Sequence, residues 1–447
     1  MTPRRNVLNT LLKVTEEGAF ANLAAKEGLS DVQPSAVGRS TALFYTAIEH
    51  MAYCDYIIAH YAKGRLQPAV KGVLRLAAAE LMFMDTPSHA VVNESVKLIA
   101  EIGKAPLKGY VNGVLRSIVR DIESGKLPAL PEDACERLNI ETGYPLFFIR
   151  QYADAHGLRF TEDMLKAVPV GMTLRPVYPH GINELTNYLD EEGVAWQSTV
   201  LHDAVNVIGM GDISSDDGFT NGLYTVQSIG AMLACRCLAP VPGMQVLDCC
   251  AAPGGKTAYL FDLMERRGSV TAWDIHPHRV GLITAAMQRL GIACEAEGRS
   301  TGLDGIVHAD VKDASKHDSM LDNSFDALLC DVPCSGLGGG SKPDARYRRT
   351  EADVKALSEL QYAILDNCSG YLKPGGALVY STCTLCRSEN EDIVNRFLRE
   401  HKEYELQSLA PFLPEVLKER GADGMLTLYP HIDGIEGFYM ARLKKSC

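Results

Sequence analysis

After Pro240-Val241-Pro242-Gly243 the chain changes to a regular alternation of short apolar runs and helix-length segments, and no other feature narrows its fold as far. Strands are expected at residues 245–248, 269–274, 305–310, 325–331 and 376–381, each followed by a loop or a helix. That alternation predicts a mostly parallel, doubly wound sheet, which binds its ligands at the carboxyl ends of the strands. Residues 437–443 are expected to add a final edge strand.

The front of the chain follows a different rule. Pro87 suits a first helical position, and Val92, Val96 and Ile99 fall on one face with Leu98 and Ile102 beside them before Gly103 stops the run. Val111, Val114, Leu115, Ile118 and Ile122 repeat the three-and-four spacing of a second core-facing helix. An all-α domain is therefore expected over residues 1–128, ending at a hinge near Ser124-Gly125-Lys126-Leu127-Pro128. Between 129 and 240 helical patterns alternate with short apolar runs such as Met172-Thr173-Leu174, which predicts a small α/β connecting domain with 209–222 as a surface loop. Residues 241–447 then form a Rossmann-like α/β domain.

The 447 residues carry a net charge of −12, which by itself argues against a nucleic-acid partner. The acidity is unevenly placed, however: residues 1–121 hold fourteen Lys and Arg against eleven Asp and Glu, and Lys342, Arg346, Arg348 and Arg349 form a basic cluster expected beside the chemistry. No run approaches the roughly 18 to 20 apolar residues that span a bilayer, so a soluble, cytoplasmic protein with no membrane partner is expected. A monomer is expected as well. Thirteen cysteines, an odd number scattered through the chain, are expected as reduced thiols. Cys383-Thr384-Leu385-Cys386 has the spacing of half a zinc site, but no second pair completes it and no metal is expected.

The first strand of the C-terminal domain runs into Cys249-Cys250-Ala251-Ala252-Pro253-Gly254-Gly255-Lys256-Thr257, a run of small residues that lets a ligand approach the backbone. A phosphate-cradling P-loop needs glycine where Cys250 stands, and the dinucleotide fingerprint is absent. The remaining candidate is a loop for the methionine part of S-adenosylmethionine. Asp274, at the end of the second strand, would accept the ribose hydroxyls, and Asp310, at the end of the third, would receive the adenine amino group or cap the next helix. Arg279 either helps to hold the cofactor or is an ordinary exposed helix arginine.

The fourth strand leads into Asp331-Val332-Pro333-Cys334 and the fifth into Cys383, so two cysteines flank one crevice at neighbouring strand ends. Most free cysteines pack as small hydrophobes, and Cys249, Cys250 and Cys330 are expected to do so. Amino-methylating enzymes carry an aromatic residue where Cys334 stands, so a thiol there favours carbon as the methyl acceptor. Carbon 5 of cytosine fits, because a nucleophile added at carbon 6 makes carbon 5 electron-rich enough to attack a sulfonium methyl group.

These motifs, with Arg387-Ser388-Glu389-Asn390-Glu391 after them, resemble the RNA cytosine-5 methyltransferase family, whose catalytic domain has the class I methyltransferase fold. In the front domain Gly72-Val73-Leu74-Arg75, Ser88-His89-Ala90-Val91-Val92-Asn93-Glu94-Ser95-Val96 and Gly109-Tyr110-Val111-Asn112-Gly113-Val114-Leu115-Arg116 are similar to the RNA-binding fold of the antitermination factor NusB. A NusB-like domain in front of this catalytic domain resembles bacterial members that act on small-subunit ribosomal RNA. The resemblance implies that Cys383 attacks carbon 6, Cys334 assists release, Asp331 protonates or holds N3 and Lys256 positions the base. It also implies cofactor contacts from Cys250, Ala251, Ala252, Pro253, Gly254, Gly255, Lys256, Asp274, Asp310 and Asp331.

Two stretches depart from the family pattern. Val226-Gln227-Ser228-Ile229-Gly230 stands where relatives carry Val-Gln-Asp-x-Ser, and Gly339-Gly340-Ser341-Lys342 is shorter and less basic than usual. Alternatives are the same chemistry on transfer RNA, or an antitermination-type RNA-binding protein with an inert methyltransferase half. DNA enzymes need no Cys383.

Overall fold

In the computed structural model, described for residues 2–168, 171–211, 213–296, 305–339 and 343–447, the chain forms two compact units. One comprises residues 1–166 with 341–350, the other residues 167–340 with 351–447.

The first unit is helical. Helices Pro3–Glu16, Pro34–Glu49 and Pro68–Phe83 each open on a proline, which lacks the N–H that a first turn leaves unused. Pro68–Phe83 is the central helix, with Val73, Leu74, Leu76, Ala77, Ala78 and Ala79 wholly buried. Gly72 lets the helix Pro3–Glu16 lie close, since a Cβ there would stand 2.7 Å from the Leu8 side chain. Arg75 makes a bidentate pair with Asp55, both bonds at 2.7 Å, and buried Glu80 joins Arg4 at 2.5 Å and Arg39 at 3.1 Å. In Ser88–Glu101 the buried stripe is Val91, Val92, Ser95, Leu98 and Ile99, with Val96 at its edge. Lys108–Glu123 buries Val111, Val114, Leu115 and Ile118.

The helices do not stop at the expected hinge. Ala134–Thr142, Leu146–His156 and Leu158–Lys166 belong to the same unit, as does the short helix Pro343–Arg348. Here the basic cluster needs correcting. The Arg348 guanidinium donates to the Val14, Gly18 and Ala19 carbonyls at the end of Pro3–Glu16, and Arg346 lies 4.9 Å over the Tyr144 ring. These arginines are spent on packing the helical unit, because planar guanidinium groups satisfy free helix-end carbonyls well. Lys342 lies outside the described residues.

The second unit contains two sheets. Strands β1 (Met172–Pro176), β2 (Trp196–Ser198), β3 (Val205–Val207) and β4 (Tyr224–Val226) make a small antiparallel sheet in the order β2-β3-β1-β4. The stretch 209–222 is more than a surface loop. Its helix Asp217–Thr220 is capped by Asp216, whose Oδ1 also accepts from Tyr188 and Tyr224 and so ties the segment to the small core.

The large sheet comprises β5 (Gln245–Asp248), β6 (Ser269–Asp274), β7 (Cys294–Ala296), β8 (Ile306–Val311), β9 (Phe325–Asp331), β10 (Leu372–Thr382), β11 (Tyr404–Leu406), β12 (Met425–Leu428) and β13 (Phe438–Lys445). Its order is β11-β13-β10-β9-β5-β6-β8-β7, with β12 also paired to β13. From β10 to β7 all pairings are parallel, and β13 runs antiparallel to β10. The expected final edge strand is thus an interior one. Phe438, Tyr439, Met440, Ala441 and Leu443 are buried on alternating faces, which an edge strand would not need.

Candidate active site

β5, β9 and β10 lie side by side, and their carboxyl ends deliver the residues singled out in the sequence. The loop after β5 is laced to its neighbours: Cys249 N–H donates to the Leu329 carbonyl at 3.1 Å and Ala251 N–H to that of Trp273 at 2.7 Å. Gly254 has φ +105°, a left-handed conformation that side chains resist. A Cβ on Gly255 would meet nothing within 4 Å, so the first turn of helix Gly255–Leu263 faces open space with N–H groups to offer.

At the end of β6, Asp274 is buried, with Oδ2 2.8 Å from Arg279 Nη1 and Oδ1 accepting from His276 N–H at 3.0 Å. Arg279 Nη2 also donates to the Ala252 carbonyl at 3.1 Å. Arg279 is therefore a brace between the strand-end carboxylate and the small-residue loop. Each Asp274 oxygen keeps a further lone pair for a ligand. Ile275, just past the end of β6, and Val311, the register partner of Asp274 on β8, are half-exposed apolar residues next to that carboxylate in the chain and in the sheet.

Asp331 is held between Lys256 Nζ, 2.7 Å from Oδ2, and the Ser381 hydroxyl, which donates to Oδ1 at 2.8 Å. Burial alone would lower the Lys256 ammonium, but the Asp331 carboxylate outweighs it and holds the lysine charged. Cys334 and Cys383 meet with their Sγ atoms 3.0 Å apart. Their two loops close backbone to backbone at Gly338: a Cβ there would stand 2.3 Å from the Gly437 carbonyl oxygen and 2.6 Å from that of Cys383. Cys249 and Cys330 are buried in the sheet core, and burial pushes the Cys330 thiol well above its usual value.

Asp248, wholly buried at the end of β5, was not singled out in the sequence although it occupies the same kind of strand-end position as Asp274. It accepts from the Thr257 hydroxyl at 2.7 Å, while its Oδ1 has no hydrogen-bond partner among the described residues. Burial pushes its carboxyl up to about 7, and the nearby Asp331 charge adds to that rise.

The variant segment 226–230 also has a local explanation. Ser228 caps helix Ile229–Leu238 by accepting from Ala231 N–H, a task that Asp would share. Gly230 lies under the Phe438 ring, where a Cβ would come within 2.6 Å of ring carbon Cγ.

Comparison with known proteins agrees with this architecture. Residues 235–444 match the family described as 16S rRNA methyltransferase RsmB/F, and residues 1–120 match the NusB family. A Bacillus subtilis (strain 168) protein named probable ribosomal RNA small subunit methyltransferase B is 34% identical, over 98% of this chain and 97% of the relative. The chain belongs to the RsmB/F family of 16S rRNA methyltransferases. Among solved structures, that of PH0851 matches this methyltransferase with a TM-score of 0.82 at 25% identity, covering 100% of this chain and 99% of the other. A Pyrococcus horikoshii methyltransferase homolog matches with a TM-score of 0.56 at 29% identity, over 70% of this chain and 98% of its own. The open glycine turn and the strand-end carboxylate, with half-exposed apolar Ile275 and Val311 near it, are chemically suited to the family's methyl donor, S-adenosylmethionine.

Proposed function

We propose that this methyltransferase modifies carbon 5 of a cytosine in small-subunit ribosomal RNA, with Cys383 as a transient covalent nucleophile. The observation that supports this reading best is the pair of thiols, Cys334 and Cys383, 3.0 Å apart beside the Lys256–Asp331 ion pair. An oxygen or nitrogen acceptor needs no such pair.

Residues Cys250 to Lys256 hold the amino-acid end of the donor, Asp274 accepts from its ribose hydroxyls and Asp310 from its adenine amino group. Arg279 braces Asp274 against the Ala252 carbonyl. The target cytosine enters unpaired or turned out of its stack, since its carbon 6 must reach a side chain. The Cys383 thiolate bonds to carbon 6, and the displaced ring electrons are taken up as Asp331 supplies or holds a proton at N3. Lys256 keeps the Asp331 carboxyl oriented and positions the base. When bound, S-adenosylmethionine supplies the methyl group that the electron-rich carbon 5 takes up. Cys334, as its thiolate, then takes the proton from carbon 5, the double bond between carbons 5 and 6 re-forms, the bond from carbon 6 breaks with its electron pair leaving on Cys383 sulfur, and the proton at N3 goes back to Asp331. In this reading the helical front of the chain docks the RNA and residues 241–447 perform the chemistry.

Single substitutions separate the two thiols. Cys383→Ala is expected to form no adduct and to transfer no methyl group. Cys334→Ala is expected to add and methylate without eliminating, so a complex with methylated RNA accumulates, survives denaturing electrophoresis and disappears on RNA digestion. A denaturant-resistant complex in Cys383→Ala and none in Cys334→Ala would reverse the assignment.

A further inference from the structure

We infer that Glu389 is a positioning residue whose buried carboxyl group fixes the two cysteine loops in one frame, an inference that rests on the roles proposed above for Cys334 and Cys383. Glu389 is wholly buried in the turn that follows Cys383. Its Oε1 accepts from Ser335 N–H at 2.8 Å and from the Gln361 amide at 2.8 Å. Its Oε2 accepts from the Ser335 hydroxyl at 2.5 Å and lies 3.3 Å from the Thr384 hydroxyl. Ser335 directly follows Cys334, and Thr384 directly follows Cys383. One carboxyl group thus grips the residue after each thiol.

The grip extends to the residues before the thiols. The Gln361 amide that donates to Glu389 also donates to the Pro333 carbonyl at 2.9 Å, which holds the Cys334 loop on its other side. Neighbouring Asn390 donates to the Thr384 carbonyl at 2.9 Å and accepts from the Thr382 hydroxyl at 2.5 Å, which brackets Cys383. Ser335, Gln361, Thr382, Thr384, Glu389 and Asn390 are all buried. Such a concentration of polar groups is costly to bury unless paired; among the described residues only the Gln361 amide oxygen of this network lacks a partner, and the pairing leaves little freedom to either loop. A carboxyl group suits the position because both of its oxygens can accept, and the Ser335 N–H and the Gln361 amide N–H can only donate to it. Glutamine would present a donor to donors at one end, and aspartate would fall short of one loop or the other.

The expected signature is in the chemical steps and not in binding. In the full chain, Glu389→Gln should lower kcat about tenfold to a hundredfold, the range expected when reacting groups shift by about 1 Å. Cofactor affinity and the RNA KM should stay near native. Two further variants weight the arms differently. Both Thr384→Val and Ser335→Ala lose the 2.8 Å contact between the Ser335 and Thr384 hydroxyls that joins the loops. Beyond that shared loss, Thr384→Val frees the Cys383 side from Glu389 and should chiefly slow adduct formation in single-turnover assays. Ser335→Ala frees the Cys334 side and should chiefly slow release, so that adduct builds up. Native kcat in Glu389→Gln would overturn the inference. So would identical kinetic defects in Thr384→Val and Ser335→Ala, or cofactor affinity falling in step with kcat. If Glu389→Gln does not fold, these two variants decide alone. Cys383→Ala is run alongside: if it still forms adduct, the underlying assignment of the nucleophile fails and the positioning role falls with it, whatever the other variants do.

Discussion

Two aspartates at neighbouring strand ends show how position alone sets different tasks for one residue type. Asp274 has a charged partner in Arg279 and, although buried, keeps a further lone pair on each oxygen, so it suits a neutral diol. Asp274→Ala leaves both hydroxyls without a charged acceptor; with such hydrogen bonds worth about 1.5 to 3 kcal/mol, affinity for S-adenosylmethionine should fall roughly tenfold to a hundredfold. Calorimetry giving unchanged affinity would refute that role for Asp274. Asp248 is the opposite case, sealed in the core with one oxygen unpartnered among the described residues and a carboxyl pushed up to about 7, first by burial and then by the Asp331 charge. A carboxyl raised on folding leaves stability intact below its unfolded value near 4, then removes it as pH climbs towards 7, at up to about 1.4 kcal/mol per unit. Asp248→Asn keeps an acceptor for the Thr257 hydroxyl and cannot ionise, so it should lose less stability than the native protein between pH 4 and 7. Denaturant titrations with equal pH dependence in both proteins would show that Asp248 does not titrate there.

Among elements, the decisive approach is between the loops after β9 and β10. Gly338 leaves room for its own backbone only, facing the Gly437 and Cys383 carbonyls, and Gly437 N–H donates to the Gly338 carbonyl at 2.7 Å. Gly338→Ala must displace backbone and not a yielding side chain. Overpacking of this kind costs about 1 to 3 kcal/mol, and the displaced segment carries Cys383. Turnover should drop tenfold or more while cofactor affinity, set on the far side of β5, remains. A variant that melts lower yet turns over at the native rate would show that the tight approach serves stability alone. The periodicity of residues 245–331 exposed β5, β6, β8 and β9, because burial of alternate elements leaves a local mark, but not the three-residue parallel strand β7. β13 was legible as a strand and not as an interior one, since an apolar run does not state its neighbours.

For the whole molecule, the net charge of −12 conceals a helical unit that presents cations on an otherwise acidic chain. Lys108 and Arg116 are exposed on helix Lys108–Glu123, whereas Arg75, Arg346 and Arg348 are committed to internal partners. Reversing Lys108 and Arg116 to Glu should weaken RNA binding with cofactor affinity unchanged. It should also flatten the plot of log affinity against log salt by roughly 0.7 to 0.9 for each RNA phosphate that the protein no longer neutralises. An unchanged slope would place the RNA on another face. Deleting residues 1–125 is a poorer test, because the cut would remove the Val14, Gly18 and Ala19 carbonyls that Arg348 holds and strand the helices from Ala134 to Lys166.

The sequence alone determined what is written locally: the helical front, the strand positions around the cofactor loop, and the acids and thiols at strand ends. Those features follow from periodicity and from glycine, proline and capping preferences, which act over a few residues. Neighbouring strand ends were expected for Cys334 and Cys383; tertiary structure decided how closely they meet, and the β10–β9 pairing brings the two thiols, 49 residues apart, to 3.0 Å. Tertiary structure also gave Glu389 its donors, one of them Ser335, 54 residues earlier, and assigned residues 341–350 to the helical unit. A buried carboxyl group and a packed arginine are chosen by partners distant in sequence, and no local pattern records who those partners are.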